Sequence, residues 1–285
     1  MTPHTQPHVA SENDTTLNGA ALVDALLRLL RLKTTPVAMK LFESEEAMQA
    51  VPRIRRPSNI YTADQIVGQA ARLGHTVGIT AADLFGPQCS AVLGLSPRDE
   101  AFNQGAPLVG VWFATLEDAT AHQRAMHCVP HGRFCAMAVS PLNAGRLLDP
   151  DIVLVYANPA QMILLINGLQ WSGYRKLEWG AVGESACADS WGRALATGEP
   201  SLALPCFPER RYGGVADDEL LLALKPAQLA QAVLGVERLA GNGLRYPIPP
   251  YGVQTDVRAG MFRSYGDKTK SPGVDASSKL SQLSR

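Results

Sequence analysis

The sequence predicts an α/β layered fold, a single domain built on a mixed sheet flanked by helices. Two continuously apolar runs of strand length, DIVLVYA (151–157) and ELLLAL (219–224), read as central strands covered on both faces. Segments of helical period alternate with such runs along the chain. The breaks between them fall on Pro and Gly, the residues that stop regular structure.

The 285 residues are enough for a substantial core in one domain. Residues 1–18 and 266–285 are polar and aperiodic and are expected to be disordered, which leaves 19–265 as the α/β domain. Lys plus Arg and Asp plus Glu each number 26, so the formal net charge is zero. No charge field calls for nucleic acid or an anionic membrane. The longest apolar runs are short of the roughly 20 residues that a membrane span needs. The N-terminal stretch has neither a positive region nor an apolar core of a secretory signal, so a cytoplasmic protein is expected. Five irregularly spaced cysteines do not form a disulfide framework and are expected to be reduced thiols. A small-molecule ligand is the expected partner, and an oligomer is compatible with the composition.

Taken in order, residues 19–33 carry Ala21, Leu22, Ala25, Leu26, Leu29 and Leu30 at amphipathic spacing and predict a packing helix. Pro36 opens the strand PVAMKLF, with Val37, Met39 and Leu41 on one face and Lys40 on the other. VPRIRRPSNI (51–60) is a loop with three arginines, either solvated or in contact with an anion. Thr62 caps a helix that stops at Gly74, and HTVGIT (75–80) is a strand. Gly86-Pro87 then breaks the chain and starts a helix with Cys89 near its N-terminus, where the dipole favours a thiolate.

PLVGVWF (107–113) and FCAMAVSPL (134–142) read as strands on either side of a helix capped by Thr115. His127, Cys128, His131 and Cys135 lie close in sequence but lack the paired spacing of structural zinc sites, and Cys135 falls in a strand-like run. DIVLVYA ends at Asn158-Pro159, and the helical segment AQMILLINGLQW follows. A loop at Gly180 and Gly183 leads to a short helix carrying Cys187, and the strand SLALPC (201–206) stops on Pro205-Cys206. Asp217-Asp218 introduces ELLLAL, Pro226 opens a helix ended by Gly241, and LRYPIPPYGVQTDV (244–257) reads as an irregular arm. The dinucleotide, P-loop, nucleophile-elbow and zinc-protease motifs are absent from the sequence.

Taken together, Cys89-Ser-Ala-Val-Leu-Gly-Leu, Asn158-Pro-Ala-Gln161-Met, Cys187, Leu-Pro-Cys206 followed by Arg210, and Asp217-Asp-Glu-Leu resemble the domain of unknown function 169 family. That prokaryotic family is uncharacterised, and the resemblance runs from about residue 36 to 239. It implies which residues belong together, Cys89, Cys187, Cys206 and the Asn158/Gln161 turn, and it supplies no activity.

Two hypotheses follow. In the first, Cys89, Cys187 and Cys206, each beside a Pro or Gly break, converge as metal ligands, most economically for an iron–sulfur cluster with one open position. In the second, a metal-free binding protein or enzyme holds a small anionic metabolite. Arg210 or Arg211 clamps it, Asn158 and Gln161 orient it, and Cys206 or Cys187 acts as nucleophile or wall.

Overall fold

The computed structural model describes residues 18–248. The two expected disordered tails, apart from Asn18, and most of the expected C-terminal arm lie outside these residues. In chain order the elements are α1 (Gly19–Leu30), β1 (Val37–Phe42), α2 (Glu45–Gln49), α3 (Ala63–Leu73), β2 (Val77–Thr80), α4 (Pro87–Val92), α5 (Glu100–Gln104), α6 (Leu116–Ala125), β3 (Ala136–Pro141), β4 (Ile152–Ala157) and α7 (Pro159–Leu169). A π-helical turn (Ala188–Gly192) then runs into α8 (Arg193–Thr197), followed by β5 (Ser201–Ala203), α9 (Phe207–Gly213), β6 (Leu220–Leu224) and α10 (Pro226–Gly241). None of the described helices is long and apolar enough to cross a membrane.

The six strands form one sheet in the order β2-β3-β1-β4-β6-β5, with β3, β1, β4 and β6 in its interior, β4 and β6 as their apolar runs predict. Every ladder between these strands is antiparallel. Parallel pairing is confined to isolated bridges such as Arg55 with Val77, so the sheet is antiparallel where a mixed one was expected. The continuous apolar runs have their cause in coverage of both faces, which is independent of strand direction.

Period-2 alternation divides the strands between two cores. Val37, Met39, Leu41, Ile152, Leu154, Tyr156, Leu221 and Ala223 face α3, α4 and the π turn. Ala38, Phe42, Val153, Val155, Leu222 and Leu224 face α1, α7 and α10. The result is a helix–sheet–helix sandwich. On the second face α7 and α10 cross at a glycine pair: a Cβ at Gly235 would lie 2.1 Å from the Gly168 carbonyl oxygen. On the first face α3 and α9 meet the same way, since a Cβ on Gly68 would stand 2.5 Å from the Gly213 carbonyl oxygen.

Local signals hold at most element ends. Thr62 accepts from the Gln65 amide at the start of α3, and Gly74 takes the left-handed conformation (φ 74°) at its end. Thr115 caps α6. PLVGVWF is the exception among the predicted strands. It forms a 3₁₀ turn and a tight loop in which the Gly110 amide donates to the Phe113 carbonyl, leaving Val111 and Trp112 at the surface. Cys135 likewise precedes β3 and is exposed, not packed in mid-strand.

Candidate functional site

Four chain breaks on the α3 side of the sheet surround a cavity of about 220 Å³. The break before α4 brings Phe85, Gly86 and Cys89, with Gly86 at φ 77° as the hinge into Pro87. The first turn of α3 contributes Asp64, the segment before the π turn contributes Glu184, Ser185 and Cys187, and the start of α9 contributes Cys206. Leu108, Trp112 and Tyr212 complete the wall. No Lys, Arg or His is among the residues that line it.

Cys89, Cys187 and Cys206 are therefore brought together as the sequence predicts. The Cys89 and Cys187 sulfurs lie 3.5 Å apart, within thiol hydrogen-bonding distance, and all three thiols are free. Cys187 is buried and immediately precedes the π turn, an irregularity that often marks functional positions. The turn is held by the Asp189 carboxylate, which accepts from the Val182 amide at 2.8 Å. One residue before Ala186, Ser185 adopts a left-handed φ of 67°, a strained conformation for a side chain with a Cβ.

Two buried carboxyls flank the thiols. Asp64 is 5% exposed and Glu209 only 1%. Burial first, and then the proximity of Glu184, pushes the Asp64 carboxyl above the usual carboxylate range. Burial and the nearby Asp64 push Glu209 up in the same way, against the pull of Tyr156, Arg210 and Arg72. The Tyr156 hydroxyl donates to Glu209 Oε1 at 2.6 Å, so this acid in the first turn of α9 is tied to the C-terminal end of β4.

The same surroundings act on the thiols. For Cys89 the hydrogen bond to Cys187 lowers the pKa, but burial and the Asp64, Glu184 and Glu209 carboxyls outweigh it, and the net shift is upward. Cys187 is raised well above the ordinary thiol value by that same hydrogen bond and by burial. Cys206 is pushed up to about 12 by burial and by Asp64 and Glu209, even though the Glu209 and Ala186 amides point at its sulfur. The thiolate-favouring effect expected for Cys89 at a helix N-terminus is thus overridden by burial and negative neighbours. The three thiols are thereby held in the protonated form.

The chain matches the family model of DUF169, described as Uncharacterised ArCR, over residues 25–235. The chain belongs to the DUF169 family. No curated protein and no solved structure matches it.

In this DUF169 chain the other residues singled out from the sequence lie away from the cavity. Asn158 and Gln161 form a reciprocal capping box at the start of α7: the Gln161 amide donates to Asn158 Oδ1, and the Asn158 amide donates to Gln161 Oε1. Gln161 Nε2 donates further to the Leu30 and Arg31 carbonyls and ties α7 to the end of α1. Arg210 donates to the Pro205, Ala216 and Glu219 carbonyls and closes the loop after α9. All three side chains are occupied in holding backbone.

The His127–Cys135 segment forms no cluster either. His131 Nδ1 pairs with the Gly94 carbonyl, and the Cys135 thiol faces the Phe42 carbonyl at 3.8 Å. In turn, the sequence reasoning passed over Asp64, Glu184, Glu209, Tyr156 and Trp112. Asp64 and Glu209 each read as ordinary first-turn helix acids, and Tyr156 as one more apolar strand residue.

Among the described residues no group of three or more His, Cys, Asp or Glu side chains stands ready-made to hold a metal ion. Two of the thiols nonetheless have the separation that a shared ion needs. Thiolates bound at about 2.3 Å around a tetrahedral centre stand about 3.8 Å apart, close to the 3.5 Å between Cys89 and Cys187. Cys206 lines the same cavity.

Proposed function

We propose that the cavity is the working site of a cysteine-ligated metal or iron–sulfur protein, with Cys89, Cys187 and Cys206 as ligands, that acts on or senses a small metabolite. The observation that carries this reading is the convergence of three thiols, 98 residues apart between the first two, on one cavity lined with carboxyls and with no basic side chain. Burial and the neighbouring acids hold the protons on the three thiols and raise Asp64 and Glu209 as well. A soft cation would release those protons and convert the same residues into strong ligands. When bound through three thiolates, such a centre has a position open for substrate and supplies Lewis-acid or electron-transfer chemistry there.

The metal-free reading, an anion clamped by Arg210, is the weaker one. Arg210 is engaged by three carbonyls, and a carboxylate or phosphate entering the cavity would meet Asp64 and Glu184 with no basic side chain among the residues that line it. Unassisted thiol nucleophilicity is disfavoured too, because every thiol of the set is shifted upward.

The test is purification under strict exclusion of oxygen, followed by metal and acid-labile sulfide analysis with a visible spectrum. Cys206→Ser should lose bound metal, and any colour with it, while Cys135→Ser, outside the cavity, should keep both. Metal retained in full by Cys89→Ser, Cys187→Ser and Cys206→Ser alike would rule the ligand set out.

A further inference from the structure

The mouth of the cysteine cavity is built from aromatic rings that the core does not use. Phe85 is 76% exposed, Tyr212 53% and Trp112 42%, and all three also line the cavity. Phe207, next to Cys206, is 62% exposed and meets the Trp112 ring edge-to-face at 6.1 Å. A fold that seals Trp191 completely inside has placed these rings at the entrance to a cavity whose lining carries two carboxyls, Asp64 and Glu184, and no basic side chain. Large apolar groups grouped at one opening mark a binding surface, and π faces above carboxyls attract positive charge.

We infer that the ligand admitted to this site is a small aromatic cation, a single-ring amine or ammonium compound. The inference rests on the cavity being the functional site proposed above. The ring is received by Trp112, Phe85 and Tyr212, and the ammonium group points inward to Asp64 and Glu184. The volume, about 220 Å³, is below the roughly 300–1,000 Å³ of sites for drug-sized molecules, which limits the ligand to about one ring. A bound metal does not reverse the preference. Three thiolates around a divalent ion carry a net negative charge of one, and each carboxyl that is ionised adds to it.

The test compares benzylamine, benzoate and cyclohexylmethylamine by isothermal titration and ligand-observed NMR against the full-length, anaerobically prepared protein. Benzylamine, cationic at neutral pH, should bind saturably. Benzoate, which keeps the ring and reverses the charge, should bind at least about tenfold more weakly, and cyclohexylmethylamine, which keeps the charge and loses the π system, about fivefold more weakly. Trp112→Ala should weaken benzylamine about fivefold or more and Trp112→Phe should restore most of it, with the metal content of both variants unchanged.

Equal binding of benzylamine and benzoate, no binding of benzylamine, or indifference to Trp112→Ala would overturn the inference. If metal is bound and benzylamine is not, the inference falls alone. If benzylamine binds with the expected selectivity to protein that takes up no metal, the metal proposal falls and the ligand class stands.

Discussion

At the scale of single residues, protons govern the site. Each thiol of the set is raised above its ordinary value, so at neutral pH a metal must displace protons to bind. Affinity for a soft divalent ion should therefore rise with pH, by up to about tenfold per unit for each proton displaced, as competition with a chelator between pH 6 and 8 would measure. A pH-independent affinity would mean that the thiols are not the ligands.

The buried carboxyls make a second prediction. The folded-state pKa values of Glu209 and Asp64 lie above their unfolded values, so the native state holds more protons than the unfolded one in the window that opens near pH 4. Their contribution to stability is full below that pH and is lost as pH rises through the folded values. For metal-free protein, Glu209→Gln should flatten the fall in melting temperature between pH 5 and 8, whereas an exposed control, Glu43→Gln, should leave the slope alone. Of this cluster the cysteines were legible in the sequence, because each sits beside a Pro or Gly break. Asp64, Glu209 and Tyr156 were not, since burial is a property of the assembled sandwich and their local sequence contexts are ordinary.

Between elements, the α3–α9 crossing sets the geometry of the site. Asp64 lies on one helix, and Cys206, Glu209 and Tyr212 lie on or beside the other. Gly68→Ala forces a Cβ to 2.5 Å from a backbone oxygen and Gly213→Ala forces one to 2.9 Å from the Asp64 carbonyl oxygen. Gly68→Ala should cost about 1–3 kcal/mol in denaturant unfolding and should weaken metal uptake, because the helices must part. Asn158→Ala, a cap loss on the far face, should cost about 1 kcal/mol and leave metal uptake unchanged. A loss of metal with Asn158→Ala would return that residue to the site.

Caps and breaks were well specified by the sequence at this scale, as Thr62, Thr115 and the Asn158–Gln161 box show. PLVGVWF was misread because its apolar residues serve a loop and a cavity mouth. Trp112 stands exposed at the cavity mouth, a placement that periodicity cannot distinguish from core packing.

For the molecule as a whole, the layered α/β architecture and the interior position of β4 and β6 followed from their apolar runs. The antiparallel pairing did not follow, because two covered faces impose the same composition on a strand whichever way its neighbour runs. The sandwich places helix ends, the α3–α9 glycine crossing and the Pro205-Cys206 turn, between residues 62 and 212, around one cavity, and this long-range convergence is what makes three scattered cysteines a candidate centre. X-ray absorption at the edge of the bound metal, on protein prepared and kept without oxygen, tests that claim most directly. At least three sulfur neighbours at about 2.3 Å are expected, with the metal signal lost from Cys206→Ser. A first shell of oxygen and nitrogen alone, or a sulfur count untouched by the substitution, would contradict it.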